Sequence, residues 1–426
     1  MRASGKWSWS DAYSLITGRA SSLPTFRALQ HRNFRRLWIG LSVSAVGTWM
    51  QIVAQSLLVL DLTHGSPVAL GTVSLAQALS FVFFAPLGGS AADRFDRRRL
   101  LLLTQSIMMA LAVVLGVLTA TGAVRFWMIP LLAFVGSATL SFDQPTRNAL
   151  IASLVPRTDL MNAVALQSTV FNGASILGPS LAGLTLSRLG YSANFFLNAA
   201  SYIAVLIVLV GLRTSAVKNP PMRTKWLESI REALQHVRRD ALLPSTILAY
   251  GALLFFGPSA VLMLPLFTRQ MIHAGPSQLG LLFSAVGVGT VAGALLIASL
   301  GDFSRKGALV FASIMIWTVA LTAFGLSNSL KVAMPALFVL GAAQNAAGAT
   351  TTTLLQTRVP PEMRGRALSL NTLLIMAVRP LGDFPVSALI RYVGFRPTVL
   401  LSAAIVGGAL VTLSAGRPAV RRDYAL

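Results

Sequence analysis

Twelve apolar runs decide what this chain can fold into. They lie at about 37–60, 67–91, 100–123, 126–149, 161–187, 192–212, 242–268, 277–300, 307–327, 332–356, 367–390 and 397–416. A helix crossing the hydrocarbon core needs about 20 mostly apolar residues, and each run is long enough. Lipid offers no hydrogen bonds, so such runs must satisfy their own backbone groups and are predicted to be helices. Ten have charge-free interiors; the fourth holds Asp143 and Arg147, and the eleventh holds Arg379 and Asp383. Only 11% of the 426 residues are charged, against about a quarter in soluble domains. A water-exposed surface cannot be clothed from that composition, which excludes a soluble enzyme, a disordered chain or a fibre. The expected fold is an all-α membrane protein with 12 transmembrane helices.

The net charge of +22 would suggest nucleic acid in a soluble protein. Here it follows topology. With twelve spans, 28 of the 35 Lys and Arg fall on the side of the N-terminus, six on the opposite side, and Arg379 inside span 11. Lys and Arg concentrate on the cytosolic side, so both termini are expected in the cytosol, with anionic lipid rather than nucleic acid as the partner. Residues 1–36 carry seven arginines and lysines and no signal-peptide core, and read as a basic cytosolic leader in which Trp7 and Trp9 can touch the membrane. The polar stretch 213–241 contains Pro220-Pro221, and then Trp226, Leu227, Ile230, Leu234 and Val237 at the spacing of one helical face. An interfacial helix is expected there.

That linker divides the chain into bundles at 37–212 and 242–416, with a cytosolic tail at 417–426. The bundles repeat. At an offset of 204, Val155-Pro156 meets Val359-Pro360, Ala163 meets Ala367, Leu166 meets Leu370 and Gly178 meets Gly382; Asp93 and Asp302 share the 2–3 and 8–9 loops. A parallel repeat of six-span halves creates a cavity at mid-membrane between them.

The loop between spans 2 and 3 reads Gly89-Ser-Ala-Ala-Asp93-Arg94-Phe-Asp96-Arg97-Arg98-Arg99. Gly89 permits close helix packing, Asp93 can accept from a neighbouring helix, and the arginines suit an anionic leaflet. The segment resembles the 2–3 loop signature of the major facilitator superfamily, with Asp96 in the usual glycine place. Gly47 to Gln55, Leu62 to Pro67, and Asp143 to Pro156 are similar to the enterobactin-exporter-like branch of its drug–proton antiporters. The resemblance covers roughly residues 30–415. It implies the two-bundle fold and proton-driven export of a small molecule through the inner membrane of a bacterium. Gly178-Pro179 through Gly183 is similar to an antiporter element in span 5, with Ala182 replacing one glycine; Pro179 frees a carbonyl and bends the helix.

Intramembrane charges are costly and line cavities. At 1.5 Å per residue, Arg379 lies roughly 18 Å into span 11 and Asp383 one turn further, on one face where they can pair. They are assigned to the central cavity, with Asp383 as the proton-site candidate. Asp143 lies roughly 25 Å along span 4, near the cytosolic end. It and Arg147 are assigned to a gate that exchanges partners with Asp93, alongside Gly89, Arg94, Arg97, Arg98, Gly178 and Pro179. Gln51, Gln55, Asn172, Gln344 and Asn345 are polar groups within spans and join the substrate pathway. A static ion pair or helix–helix contact is the competing reading for each.

No phosphate-binding loop, zincin motif, nucleophile elbow or cysteine occurs. No metal site, cofactor or enzymatic activity is therefore expected. The alternatives are an importer or uniporter of the same fold and, in another class, a polytopic membrane enzyme. The expectation is a monomeric exporter working by alternating access.

Overall fold

A computed structural model describes residues 24–212, 226–301, 303, 305–360 and 363–415. The leader up to 23, Pro220-Pro221, Asp302 and the tail lie outside the described residues. Among those described, every regular element is a helix. Spans 1 to 4 are α1 (Arg32–Leu62), α2 (Pro67–Arg94), α3 (Arg97–Ala120) and α4 (Met128–Leu154). Spans 5 and 6 form one stretch, α5 (Leu160–Gly211), interrupted at Gly190, whose φ of 78° and ψ of −174° only glycine adopts readily. The amphipathic linker helix is α6 (Trp226–Arg239); its Val237 is buried, while Arg231, Arg238 and Arg239 are exposed.

Span 7 is broken into α7 (Leu243–Phe256) and α8 (Ala260–Gln270). Spans 8, 9 and 10 are α9 (Pro276–Leu300), α10 (Lys306–Leu326) and α11 (Leu330–Arg358). Span 11 is α12 (Arg364–Leu373), a π turn at Leu374–Val378, and α13 (Arg379–Val393); span 12 is α14 (Phe395–Ala415). Ten helical stretches among the described residues are long and apolar enough to cross a bilayer. One of them, the 55-residue Arg157–Gly211, is long enough for two spans. Met128–Leu154, 27 residues long, completes the twelve; Asp143 and Arg147 lower its hydropathy.

The two halves are built alike. In the first, a Cβ on Gly178 of span 5 would lie 2.4 Å from the Cβ of Trp49 in span 1. In the second, a Cβ on Gly382 of span 11 would lie 2.0 Å from the carbonyl oxygen of Phe255 in span 7. The residues matched by the sequence repeat therefore make matching contacts, each laying the fifth helix of its half on the first. Small residues at such crossings let backbones touch where no hydrophobic effect drives association.

The halves meet through spans 2 and 11 and through spans 5 and 8, pairs that the repeat interchanges. We call the end holding the 2–3 loop and the linker helix the basic end, and the opposite end the far end. Between spans 5 and 8, Ser180 and Ser284 share a 2.7 Å hydrogen bond, and Ser284 Oγ also lies 2.7 Å from the Ile176 carbonyl. Near the far end of the same pair, a Cβ on Gly183 would lie 2.7 Å from the Pro276 carbonyl. Between spans 2 and 11, Gly71 abuts Ser387. These hydrogen bonds and the Asp61–Arg269 ion pair, which join the halves, lie from mid-membrane to the far end.

Candidate functional site

A cavity of about 440 Å³ lies between the halves. Spans 1, 2, 5, 7, 8, 10 and 11 all contribute to its wall, which is mostly apolar and aromatic, with Trp49, Phe171 and Phe283 among the lining side chains. Trp49 and Phe171 sit with ring centroids 5.6 Å apart. A few polar groups interrupt this surface: Gln55, Gln77, Asn172, Gln344, Arg379 and Asp383. An apolar chamber with sparse, convergent polar groups has the composition of a small-molecule site.

Local backbone breaks set the two charges. Pro380 has no N–H to offer the carbonyl of Met376, and span 11 widens into its π turn just before Arg379, whose own N–H reaches back to the Leu374 carbonyl. Span 7 breaks at Gly257-Pro258, and Ser259 becomes the N-cap of α8, its hydroxyl accepting from the Leu262 N–H at 3.1 Å. The Ser259 N–H is thereby left free of the helix and donates to Asp383 at 2.9 Å. Ser74 of span 2 donates to the other carboxylate oxygen at 3.3 Å. Asp383 is thus 3% exposed, held by one donor from each half and set at the positive end of a half-helix.

The i,i+4 pairing expected from the sequence does not form. No ion pair joins Arg379 to Asp383 among the described residues; Arg379 instead donates to the Gln344 side-chain carbonyl at 3.4 Å. The carboxylate is drawn to the break in span 7, and the guanidinium, half-buried, turns to span 10.

A second chamber of about 270 Å³ lies beside the first on the side of the N-terminal half, with Ile52, Gln55, Gln77, Met376 and Pro380 lining both. Gln51 belongs here, accepting from the Asn198 amide at 2.7 Å; Gln55 and Gln77 line both chambers. Asn345 lines neither.

The other assigned residues separate into distinct places. Asp143 is fully buried inside the N-terminal half, paired with Arg147 and accepting from Thr104 at 3.0 Å and Gln105 at 2.6 Å. Asp93 and Arg94 stand exposed at the end of α2, and Asp93 has no partner among the described residues. The glycine that packs there is Gly88, whose added Cβ would lie 1.9 Å from the Ser141 carbonyl; Gly89 faces open space. Arg97 and Arg98 are not given over to lipid. Arg97 donates to the Ala149 carbonyl at 3.2 Å, and Arg98 to Leu209 at 2.6 Å and Val210 at 2.5 Å, capping the end of span 6. Asp96 caps α3 by accepting from the Arg99 N–H at 2.8 Å, which makes the turn without the usual glycine. Pro179 turns its carbonyl to within 2.5 Å of where a Cβ on Gly280 of span 8 would be.

Sequence reasoning missed Ser74, Ser259 and the cluster that closes the far end. There Asp61 at the end of span 1 pairs with Arg269 at the end of span 7 and accepts from the Tyr191 hydroxyl. The Gly257-Pro258 step inside span 7 was the available signal for Ser259. Asp61 and Arg269, at span ends, look like ordinary loop charges until the fold brings them together.

A duplicated six-helix unit enclosing a cavity that is bound shut at one end defines a transporter of the major facilitator fold. The family profile described as transmembrane secretion effector matches residues 23–419, and the chain belongs to that family. It is 26% identical to the MFS-type transporter YfiS of Bacillus subtilis over 94% of this chain and 97% of that one. It is 27% identical to the enterobactin exporter EntS of Citrobacter koseri (89% and 90%) and 23% identical to macrolide efflux protein A of Streptococcus pyogenes (88% and 93%). Among solved structures, a bacterial homologue of the human lysosomal transporter Spinster, inward-facing and unoccupied, superposes with a TM-score of 0.72 at 15% identity, covering 92% of this chain and 98% of that one.

Proposed function

We propose that this transporter exports a small molecule from the cytosol of a bacterial cell across the inner membrane, by alternating access, in exchange for protons, and acts as a monomer. The basic end is assigned to the cytosol by its Lys and Arg excess; the cavity is then closed to the outside and approached from within. The relatives named as exporters support the outward direction.

The observation that carries the reading is the position of Asp383. Its two oxygens accept from Ser74 in one half and Ser259 in the other, so the carboxylate is itself part of the far-end closure. A proton taken up there replaces an acceptor with a donor and alters the bond between the halves. Opening outward also requires parting Asp61 from Arg269 and sliding span 5 off span 8. The exposed Asp93, Arg94 and Gly89 at the basic end then meet the other half as that end closes, while Asp143 and Arg147 hold the N-terminal half rigid.

The test compares cells that overexpress the chain with cells that lack it. They are loaded with macrolides and catecholate siderophores and followed with and without a protonophore. Faster export of at least one compound, lost when the gradient collapses, is expected. An identical profile for every compound with the gradient intact removes the export reading.

A further inference from the structure

We infer that the cargo is an elongated amphipathic anion, its acidic group held by Arg379 and its apolar body extending into the second chamber. This deepens the transport reading above and rests on it.

Among the described residues, Arg379 and Asp383 are the only charged ones lining either chamber, but they are not equivalent to an entering molecule. Both oxygens of Asp383 are occupied, and the residue is all but sealed from the cavity. Arg379 is accessible, and its one partner is a neutral amide at 3.4 Å. A guanidinium has five N–H donors in a planar fork suited to a carboxylate or sulfonate, so most of its capacity is unspent. Arg379 makes no ion pair among the described residues, and an anionic ligand supplies a counter-charge in direct contact with it. A cationic ligand would meet the same field with no free carboxylate to oppose it.

The shape of the cavity gives the rest of the cargo. The chambers of about 440 and 270 Å³ share Ile52, Gln55, Gln77, Met376 and Pro380 as common walls. Beyond these shared residues the smaller chamber is lined by Met108, Leu111, Leu132 and Leu140, with Gln51, Ser137, Asn198 and Tyr202 as uncharged polar groups among them. A compact ion would leave it empty, whereas a ring or chain attached to an acid fills it. The described cations at the basic end, among them Arg94, Arg97, Arg98, Arg231 and Arg238, draw anions toward the same cavity.

Three dansyl probes that differ in charge test this: dansylglycine (anion), dansylamide (neutral) and dansylcadaverine (cation), titrated at neutral pH onto the full chain in lipid nanodiscs. Dansylglycine is expected to bind at least about tenfold tighter than dansylcadaverine. Arg379→Gln should weaken dansylglycine about tenfold and leave dansylamide within about twofold; Arg379→Lys, which keeps the charge and loses the fork, should fall between. Gly136 lines the second chamber, and a Cβ there would have no neighbour nearer than 3.8 Å. Gly136→Leu should therefore weaken all three probes about fivefold without reordering them.

Tightest binding of dansylcadaverine, or an unchanged charge preference in Arg379→Gln, overturns the inference. Should that variant fail to fold, the wild-type order and Arg379→Lys decide. Binding is read without a gradient. A chain that prefers dansylglycine yet exports nothing from cells breaks only the export reading, and one that exports a cation with no preference for dansylglycine breaks only this inference.

Discussion

Spans 5 and 11 hold equivalent places in the two halves, yet only one carries charge. Each is laid by a glycine on the first span of its own half, Gly178 on Trp49 and Gly382 on Phe255. Beyond that contact they differ. Span 5 keeps α-helical geometry past its proline and presents Asn172 and Ser175 to the cavity, and its partner, span 1, is one continuous helix. Span 11 passes through a π turn into Arg379 and Asp383, and its partner, span 7, is broken at Gly257-Pro258. The breaks and the charges belong together. A carboxylate inside a bilayer needs donors, an unbroken helix has none to spare, and the broken one offers the Ser259 N–H. Span 5 is a smooth packing surface, and span 11 is opened to receive an ion.

The sharpest way to break this contrast is to make span 11 as neutral as span 5. Asp383→Asn keeps the shape and both hydrogen-bonding positions but removes the titrating group. Efflux driven by a pH gradient in proteoliposomes should fall at least about 100-fold, while dansylglycine binding stays within about threefold. Retention of the pH-driven component would take Asp383 out of the coupling.

The shared glycine contact is the next target. Gly382→Ala places a methyl 2.0 Å from a backbone oxygen, and Gly178→Ala places one 2.4 Å from a side-chain carbon with the Val46 carbonyl at 2.9 Å. Neither backbone can yield without parting two helices, so each should cost about 1–3 kcal/mol, Gly382→Ala the more. Gly89→Ala, facing open space, should leave the melting temperature in detergent unchanged. Equal behaviour of all three would mean that close approach does not set the cost, since helix propensity by itself favours alanine at each site.

The twelve helices, the halves and the cavity were legible because lipid leaves few choices: a run of apolar residues of the right length has to be a helix. Arg379 and Asp383 stood out for the same reason, as charges where none is affordable. What pairs with what was not legible. The i,i+4 spacing suggested an Arg379–Asp383 pair on the premise of a regular helix around them, and the π turn and the Ser259 N–H won against it. Gly89 matched the motif, but the packing fell to Gly88, because the face a helix turns to its neighbour depends on tilt. Arg97 and Arg98 reach helix-end carbonyls that are more than fifty and a hundred residues away in sequence, which no local reading connects.

The far-end closure offers a smaller effect. Asp61 and Arg269 join the halves where both are partly exposed, at 34% and 38% of their side chains. Such a pair is worth about 0.2–1 kcal/mol, so Asp61→Asn should shift the population opening outward by no more than about fivefold. The chain has no cysteine, so Ser284→Cys, set in the buried span 5–8 contact, provides a single reporter. Its labelling by a membrane-impermeant maleimide from the far side should rise by that factor. Unchanged labelling would mean the helix contacts alone hold this end.

The smallest effect concerns the basic end, where the halves use the same tether with opposite polarity. In the first half, His31 ahead of span 1 bonds Asp159 beyond span 4 at 2.8 Å. In the second, Asp240 ahead of span 7 pairs with Arg358 at the end of span 10 at 3.4 Å. Asp240 also caps α7, accepting from the N–H groups of Leu242 at 2.8 Å and Leu243 at 2.9 Å. Partial burial pushes its carboxyl up, but these donors and the Arg358 charge outweigh it and hold the pKa below the usual carboxylate range. A depressed pKa means stability that is present at neutral pH and lost as pH falls through that lowered range. Asp240→Asn keeps the cap and removes the charge. It should lower the melting temperature by only about 1–2 °C at neutral pH, and the gap to wild type should close in acid. No gap at neutral pH would show that Asp240 acts through the cap alone, and that this end of the second half, unlike its carboxylate at mid-membrane, owes nothing to charge.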